Sequence, residues 1–368
     1  MIANNNKITN GQLMAIILGN IIGVGVLSLP RALADSLDQN GWVLILVSGF
    51  ITIIMTIIIT RLMLYKPGKT IAEFARDIVT TPIADFFSFL YILYLLFFAA
   101  FVVRVFAEVI KMFLLTKTPT EVIIITMLLT IAYIGRRGVE GIGRIAVLMI
   151  PIIILPLIII FFVILPELEF SNLLPVFRFK FADLVKGIPD TFFSFAGFDL
   201  LILFMAYSSN PKKAMKYNIS AVLVTMAVYL LIFITVISRF GVVETQHLLW
   251  PTLSLMGTID FPGAFIENIQ GVIMALWVLV AFTTLTPLIY GLALTASKLF
   301  RVKEYNFFVL PIIPIIFILA LVPDNLASIY DYITKISYYL GSFIIIVAPI
   351  IVFAVSLFKK GKKGSKNG

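Results

Sequence analysis

The sequence predicts an all-α integral membrane protein. Ten transmembrane helices are expected in a five-plus-five inverted repeat, with helices 1 and 6 broken at mid-membrane. Three observations predict this. The 368 residues are 61% hydrophobic and 13% charged, against roughly 45–50% apolar and about 25% charged in soluble domains. Apolar runs near the crossing length of about 20 residues fall at about 11–30, 42–64, 84–114, 119–135, 143–165, 185–208, 217–239, 263–297, 306–323 and 337–358. Finally, small residues interrupt the first and sixth runs near their midpoints, at Gly19-Asn20-Ile21-Ile22-Gly23-Val24-Gly25 and at Phe192-Phe193-Ser194-Phe195-Ala196-Gly197-Phe198-Asp199.

The first run precedes Ala32-Leu33-Ala34, which resembles a signal-peptidase site. The run is long for a signal peptide, Asn20 and three glycines interrupt it, and only Lys7 precedes it as positive charge. It reads as a retained first helix. Between the second and third runs, Thr70 to Val79 has the pattern of a short amphipathic helix on the membrane surface. The long third and eighth runs are expected to tilt or to extend beyond the bilayer. Pro151 and Pro156 are expected to bend the fifth run, and Pro311 and Pro314 the ninth. A single transmembrane domain therefore covers 1–358, with repeat one at about 8–165, repeat two at about 184–358 and a basic tail at 359–368.

Charge sets the expected orientation. With the N-terminus inside, inside segments hold 19 of the 28 Lys and Arg residues and outside segments hold 8, with Arg104 inside a span. This bias places both termini on the cytoplasmic side. It also accounts for the net charge of +9 without a nucleic-acid partner. The chain has no cysteine and one histidine, His247, so disulfides and thiolate sites are excluded, a histidine metal centre is not expected and no cofactor is implied. No cluster of histidine, cysteine or paired carboxylates suggests an enzyme.

Five spans per half force the two halves into opposite topology, so the two interruptions fall at matching depth. Paired interruptions of this kind point to a transporter-type binding site, because broken helix survives at mid-membrane only where protein buries it or a cavity wets it. Unwinding span one would expose amides suited to a carboxylate. Unwinding span six would free carbonyls and present Asp199 to an ammonium group. Together they would hold a zwitterion such as an amino acid. The alternative is that the glycines serve close helix packing. The candidate ligand-binding residues are Asn20, Ile22, Gly23, Val24, Gly25, Ser194, Phe195, Ala196, Gly197 and Asp199, with Phe97 and Phe101, beside Phe98, as pocket walls.

Asp199 lies at mid-membrane depth, where ionisable groups are costly. It would bind an amine or carry a proton; a structural role, for instance beside Arg104, is the alternative. Arg104 and Glu108 share a helix face as an ion pair or as an outer gate, and Arg31 after Pro30 could serve similarly. Thr283 and Thr284 could ligate sodium or bond back to their own helix.

The interruptions resemble the first- and sixth-helix signatures of the amino acid/polyamine/organocation transporter superfamily. Ile8-Thr9-Asn10-Gly11-Gln12, Ile22 through Arg31 (IGVGVLSLPR), Leu173-Leu174-Pro175-Val176-Phe177 and Gly197 through Tyr207 (GFDLLILFMAY) look like the spore germination B-subunit family, and the resemblance covers essentially the whole chain. It implies a LeuT-like, permease-type fold and a B subunit of a germinant receptor in the spore inner membrane. Such a subunit works with a membrane-bound A subunit and a lipoprotein C subunit, and binds a small germinant such as an amino acid. Gly23, Val24, Gly25, Ser194, Phe195, Ala196, Gly197 and Asp199 would carry the binding region. The other reading is a proton- or sodium-coupled amino acid permease.

Overall fold

The computed structural model describes residues 6–258 and 269–364, with side chains of Val24, 269–274 and 360–364 excluded. Thr9 opens the first helix, α1 (Asn10–Leu37). Its hydroxyl accepts from Gln12 N and the Gln12 side chain accepts from Thr9 N, at 3.2 and 2.8 Å. These two bonds satisfy amides that a helix start otherwise leaves unpaired. Next come α2 (Trp42–Met63), α3 (Ile71–Ile78), α4 (Thr81–Phe113), α5 (Thr120–Gly135) and α6 (Gly138–Ile164). A short half-helix α7 (Phe181–Phe193) turns at 194–197 into a 3-10 and helical stretch containing α8 (Leu201–Phe204). The chain continues through α9 (Ala214–His247), α10 (Pro251–Gly257), α11 (Ile269–Leu299) and α12 (Asn306–Leu321). It ends in α13 (Leu326–Ile336), a π-helical segment Ser337–Val347 and α14 (Ala348–Gly364).

Six described helical stretches are long and apolar enough to cross a bilayer, or up to eight if each of two bent pairs is one span. The bent pairs are 10–23 with 25–40 and 181–193 with 198–207, each bent by 51°. α5 and α12 are apolar but shorter. The expected start of the eighth span, at 263–268, lies outside the described residues.

The two interruptions differ in kind. α1 stays helical from Asn10 to Leu37 and bends, so the expectation of unwound backbone there is corrected. Its glycines serve close approach instead. A Cβ on Gly23 would sit 2.0 Å from Thr284 Oγ1, and one on Gly19 3.3 Å from Thr283 Cβ. The second interruption is a true break, because Gly197 adopts φ +115°, a backbone region that side-chain-bearing residues rarely adopt. α6 runs through Pro151 and Pro156, and α12 through Pro311 and Pro314. Each proline leaves the helix assigned, since the lost hydrogen bond is local.

The amphipathic segment forms α3 as expected, capped by Thr70 and Glu73. Its apolar face, Ala72, Phe74, Ala75 and Ile78, is buried by protein. Charged anchors hold it there. Glu73 takes Lys298 Nζ at 2.9 Å, Arg76 takes Asp85 at 2.7 Å and also donates to the Lys298 carbonyl, Lys66 pairs with Asp77, and Lys359 donates to the Asp77 carbonyl. α3 thereby fastens the ends of α2, α4, α11 and α14 on the face that carries the N-terminus.

Burial pushes the Glu73 carboxyl up, but hydrogen bonds from Lys298 and Thr70 outweigh it and leave the group below its ordinary 4.5. A carboxyl lowered on folding adds stability that is present above its unfolded pKa and lost as pH falls through the folded value. Thermal unfolding in detergent should therefore show Glu73→Gln less stable than the parent by a constant margin above pH 4.5. The margin should shrink only below that pH. A margin that changes between pH 6 and 8, roughly 1.5 to 3.5 units above, would reject this anchor.

Candidate functional site

On the N-terminal face the two bent elements are sewn together. Ile8 N donates to Tyr207 O and Ser209 N to Ile8 O, at 2.9 and 2.8 Å. Asn10 accepts from the Ser208 hydroxyl at 2.6 Å and donates to Asn210 O at 2.9 Å. Nearby, the Tyr290 ring meets the Tyr305 ring at 4.9 Å and the Tyr207 ring at 6.5 Å. A small apolar cavity of about 40 Å³ lies in this half, under α3 and beside Tyr91 and Ala348.

The opposite half is open. A cavity of about 530 Å³ is lined by α1 (Gly25, Ser28, Arg31), α7 (Asp190, Phe193) and α13 (Tyr330, Thr334), and reaches Phe98, Ser194, Ser337 and Tyr338. That volume suits a small ligand. Its floor lies where the two bends meet. A Cβ on Gly25 would approach both Ser194 O and Tyr229 Oη to 2.7 Å. Tyr229, fully buried, places its hydroxyl 2.7 Å from Ile21 O and 2.8 Å from Ser194 O. One hydroxyl proton thus serves carbonyls of both bent elements, and helix bends leave such carbonyls in need of donors.

Below the floor the break of span six closes on itself. Asp199 is buried; its carboxylate accepts from Gly197 N at 2.8 Å and from the Tyr91 hydroxyl at 2.9 Å. It lies in the first turn of the second half-helix, ties that turn back to the break through Gly197 N, and is absent from the cavity lining. The rings of Tyr91, Tyr94 and Phe98 stack in a column, at 6.2 and 5.6 Å. The column runs from the N-terminal-side cavity, which Tyr91 lines, to the open cavity, which Phe98 lines.

The other expected residues are placed as follows. Asn20 is buried and donates to Thr284 O at 2.8 Å, and a Cβ on Gly197 would sit 2.5 Å from its Oδ1. Ile22, Phe195 and Ala196 are buried; the side chain of Val24 lies outside the described residues. Thr283 and Thr284 both bond back to Val280 O, at 2.8 and 3.0 Å, and Thr284 also reaches Gly19 O at 3.3 Å. Phe97 stacks on Phe101, and Phe101 on Tyr332; neither phenylalanine lines the cavity. Arg104 pairs with Glu108 at 2.8 Å and donates to Ala320 O at 3.0 Å, tying α4 to α12. Arg31 does reach the cavity, beside Asp35 at 3.7 Å. Asp190, Ser28, Tyr330 and Ser337 line it as well and were not expected from sequence. Asp190 had one readable signal, its position one helical turn before Ser194.

The fold has a match among solved structures. MhsT, in a crystal structure in complex with L-phenylalanine, superposes with a TM-score of 0.72 at 14% identity, covering 93% of this chain and 87% of that one. The fold is LeuT-like. The sequence matches the spore germination protein family, the spore permeases, over residues 7–329. This chain belongs to that family. Among its relatives, Spore germination protein YndE of Bacillus subtilis is 28% identical over 98% of this chain and 99% of its own length. Spore germination protein GerLB of Bacillus cereus is 26% identical over 94% and 93%. With its apolar helices, this spore permease is a multi-pass membrane protein.

Proposed function

We propose that this spore permease is the germinant-sensing B subunit of a spore germination receptor, and that it binds a small amino acid in the 530 Å³ cavity. The observation that carries the reading is the cavity floor, where both bent elements meet at Gly25, Ser194 and Tyr229. In this reading α5 and α12 complete ten spans in two inverted halves, with both termini cytoplasmic in the spore inner membrane. The open cavity then faces outward and the α3 anchors close the cytoplasmic side. An A subunit and a lipoprotein C subunit would receive the signal as the cavity closes over its ligand, since a ligand shifts a protein toward the state it binds better. No step of this role requires catalysis.

Gly25→Leu tests the pocket. The added side chain clashes with the Ser194 carbonyl and the Tyr229 hydroxyl, each 2.7 Å from its Cβ, so it forces apart the junction that forms the floor. Spores carrying it should lose the amino acid response of this receptor while the protein is still found in the membrane at parental amounts. A normal response at normal amounts would reject the pocket. Under the second reading, a coupled amino acid permease, the parent chain would drive concentrative uptake of labelled amino acid into proteoliposomes.

A further inference from the structure

Three charged side chains line the open cavity: Arg31, Asp35 and Asp190. Arg31 Nε lies 3.7 Å from Asp35 Oδ2, so these two offset each other. The Asp190 carboxylate has no ion pair or hydrogen bond among the described residues. Its place is fixed by its backbone, because both the amide and the hydroxyl of Ser194 donate to Asp190 O, at 3.3 and 3.2 Å. The carboxylate thus stands one helical turn above the floor, on the same helix as Ser194. Beside it, Phe98, Phe193, Tyr330 and Tyr338 also line the cavity, and aromatic faces attract cations.

The described lining therefore carries one positive against two negative side chains. A neutral zwitterion leaves that imbalance in place, whereas a ligand with a second cationic group removes it. Asp190 stands exposed on the cavity wall, and an unpaired carboxylate there gains from a charge-assisted hydrogen bond with a cation. We propose that the cavity selects amino acids or amines bearing a side-chain cation, with Asp190 as the counter-ion of that cation. Asp190 takes the selecting role that the sequence suggested for Asp199, which is committed to Gly197 and Tyr91. The inference rests on the reading of this cavity as the ligand site.

The test compares L-lysine with L-norleucine, which share a four-carbon side chain and differ by the terminal ammonium group. Apparent affinity is read from the concentration dependence of thermal unfolding of the full chain in lipid nanodiscs, since a ligand of the folded state raises stability. Lysine should bind about threefold to fivefold more tightly than norleucine, the scale of a solvent-exposed ion pair. Asp190→Asn should abolish that preference and leave norleucine affinity within about twofold, and Asp190→Glu should restore it. Parental protein that binds norleucine as well as lysine overturns the assignment of Asp190 while leaving the cavity as the ligand site. So does an Asp190→Asn variant that weakens both ligands equally. Parental protein that responds to neither, nor to any of the other common amino acids, overturns the cavity reading and this inference with it.

Discussion

Gly197→Ala is expected to destabilise the folded chain by about 3 kcal/mol, through two costs at one atom. A side-chain-bearing residue at positive φ costs roughly 1–2 kcal/mol, and overpacking a filled interior costs about 1–3 kcal/mol. Both apply here. Gly197 has φ +115°, and its new Cβ would lie 2.5 Å from Asn20 Oδ1 and 3.2 Å from the Asn20 backbone. Asn20 is held by its bond to Thr284 O, so relief would cost that contact between α1 and α11. Thermal unfolding in detergent is the measurement. An alanine variant as stable as the parent would mean that the span-six break does not have this geometry.

Asp199→Ala carries the second large effect, about 2–6 kcal/mol. It strips the acceptor from both the Gly197 amide and the Tyr91 hydroxyl, and each buried donor left unsatisfied costs roughly 1–3 kcal/mol. Asp199→Asn keeps an acceptor and the shape, so it should recover most of the loss. Tyr91→Phe should fall between them, because one donor leaves together with its need for a partner. This ranking separates a structural tie from a ligand counter-ion. If Asp199 held an amine, the asparagine variant would lose ligand affinity at near-parental stability. The same unfolding series, read beside binding of any amino acid that stabilises the parent, decides the point.

These two residues also show what could be read in advance. Apolar runs near crossing length located the helices, because the bilayer fixes span length and leaves little freedom in pattern. Small residues in runs one and six located the bends, and Thr70 with Glu73 marked the start of α3. The work of each glycine was not legible. Gly23 meets Thr284, Gly25 meets Ser194 and Tyr229, and Gly197 meets Asn20; those neighbours lie some 170 to 260 positions away in sequence. A glycine that unwinds a helix and one that admits a neighbour look alike until the neighbour is known.

The cavity lining was hidden for a related reason. Which face of a span meets a cavity depends on helix rotation, set by packing rather than by hydropathy when both faces are apolar. Phe97 and Phe98 are adjacent, yet only Phe98 reaches the cavity. Residues 326–336 fall between the ninth and tenth apolar runs, yet they form α13 and supply Tyr330 and Thr334 to the wall. The π-helical segment after it has no sequence signature, although Ser337 and Tyr338 at its start face the same space.

We propose that a small amino acid enters this cavity and is held at its floor. The chain contains no cysteine, so a single Thr334→Cys places one exposed thiol on the wall. The rate at which a membrane-impermeant methanethiosulfonate modifies it, in right-side-out vesicles, reports access directly. The thiol should react readily without ligand, and a stabilising amino acid should slow it at least several-fold. The protection should vanish when Gly25→Leu is added. A thiol that reacts at one rate whatever amino acid is present would contradict the account.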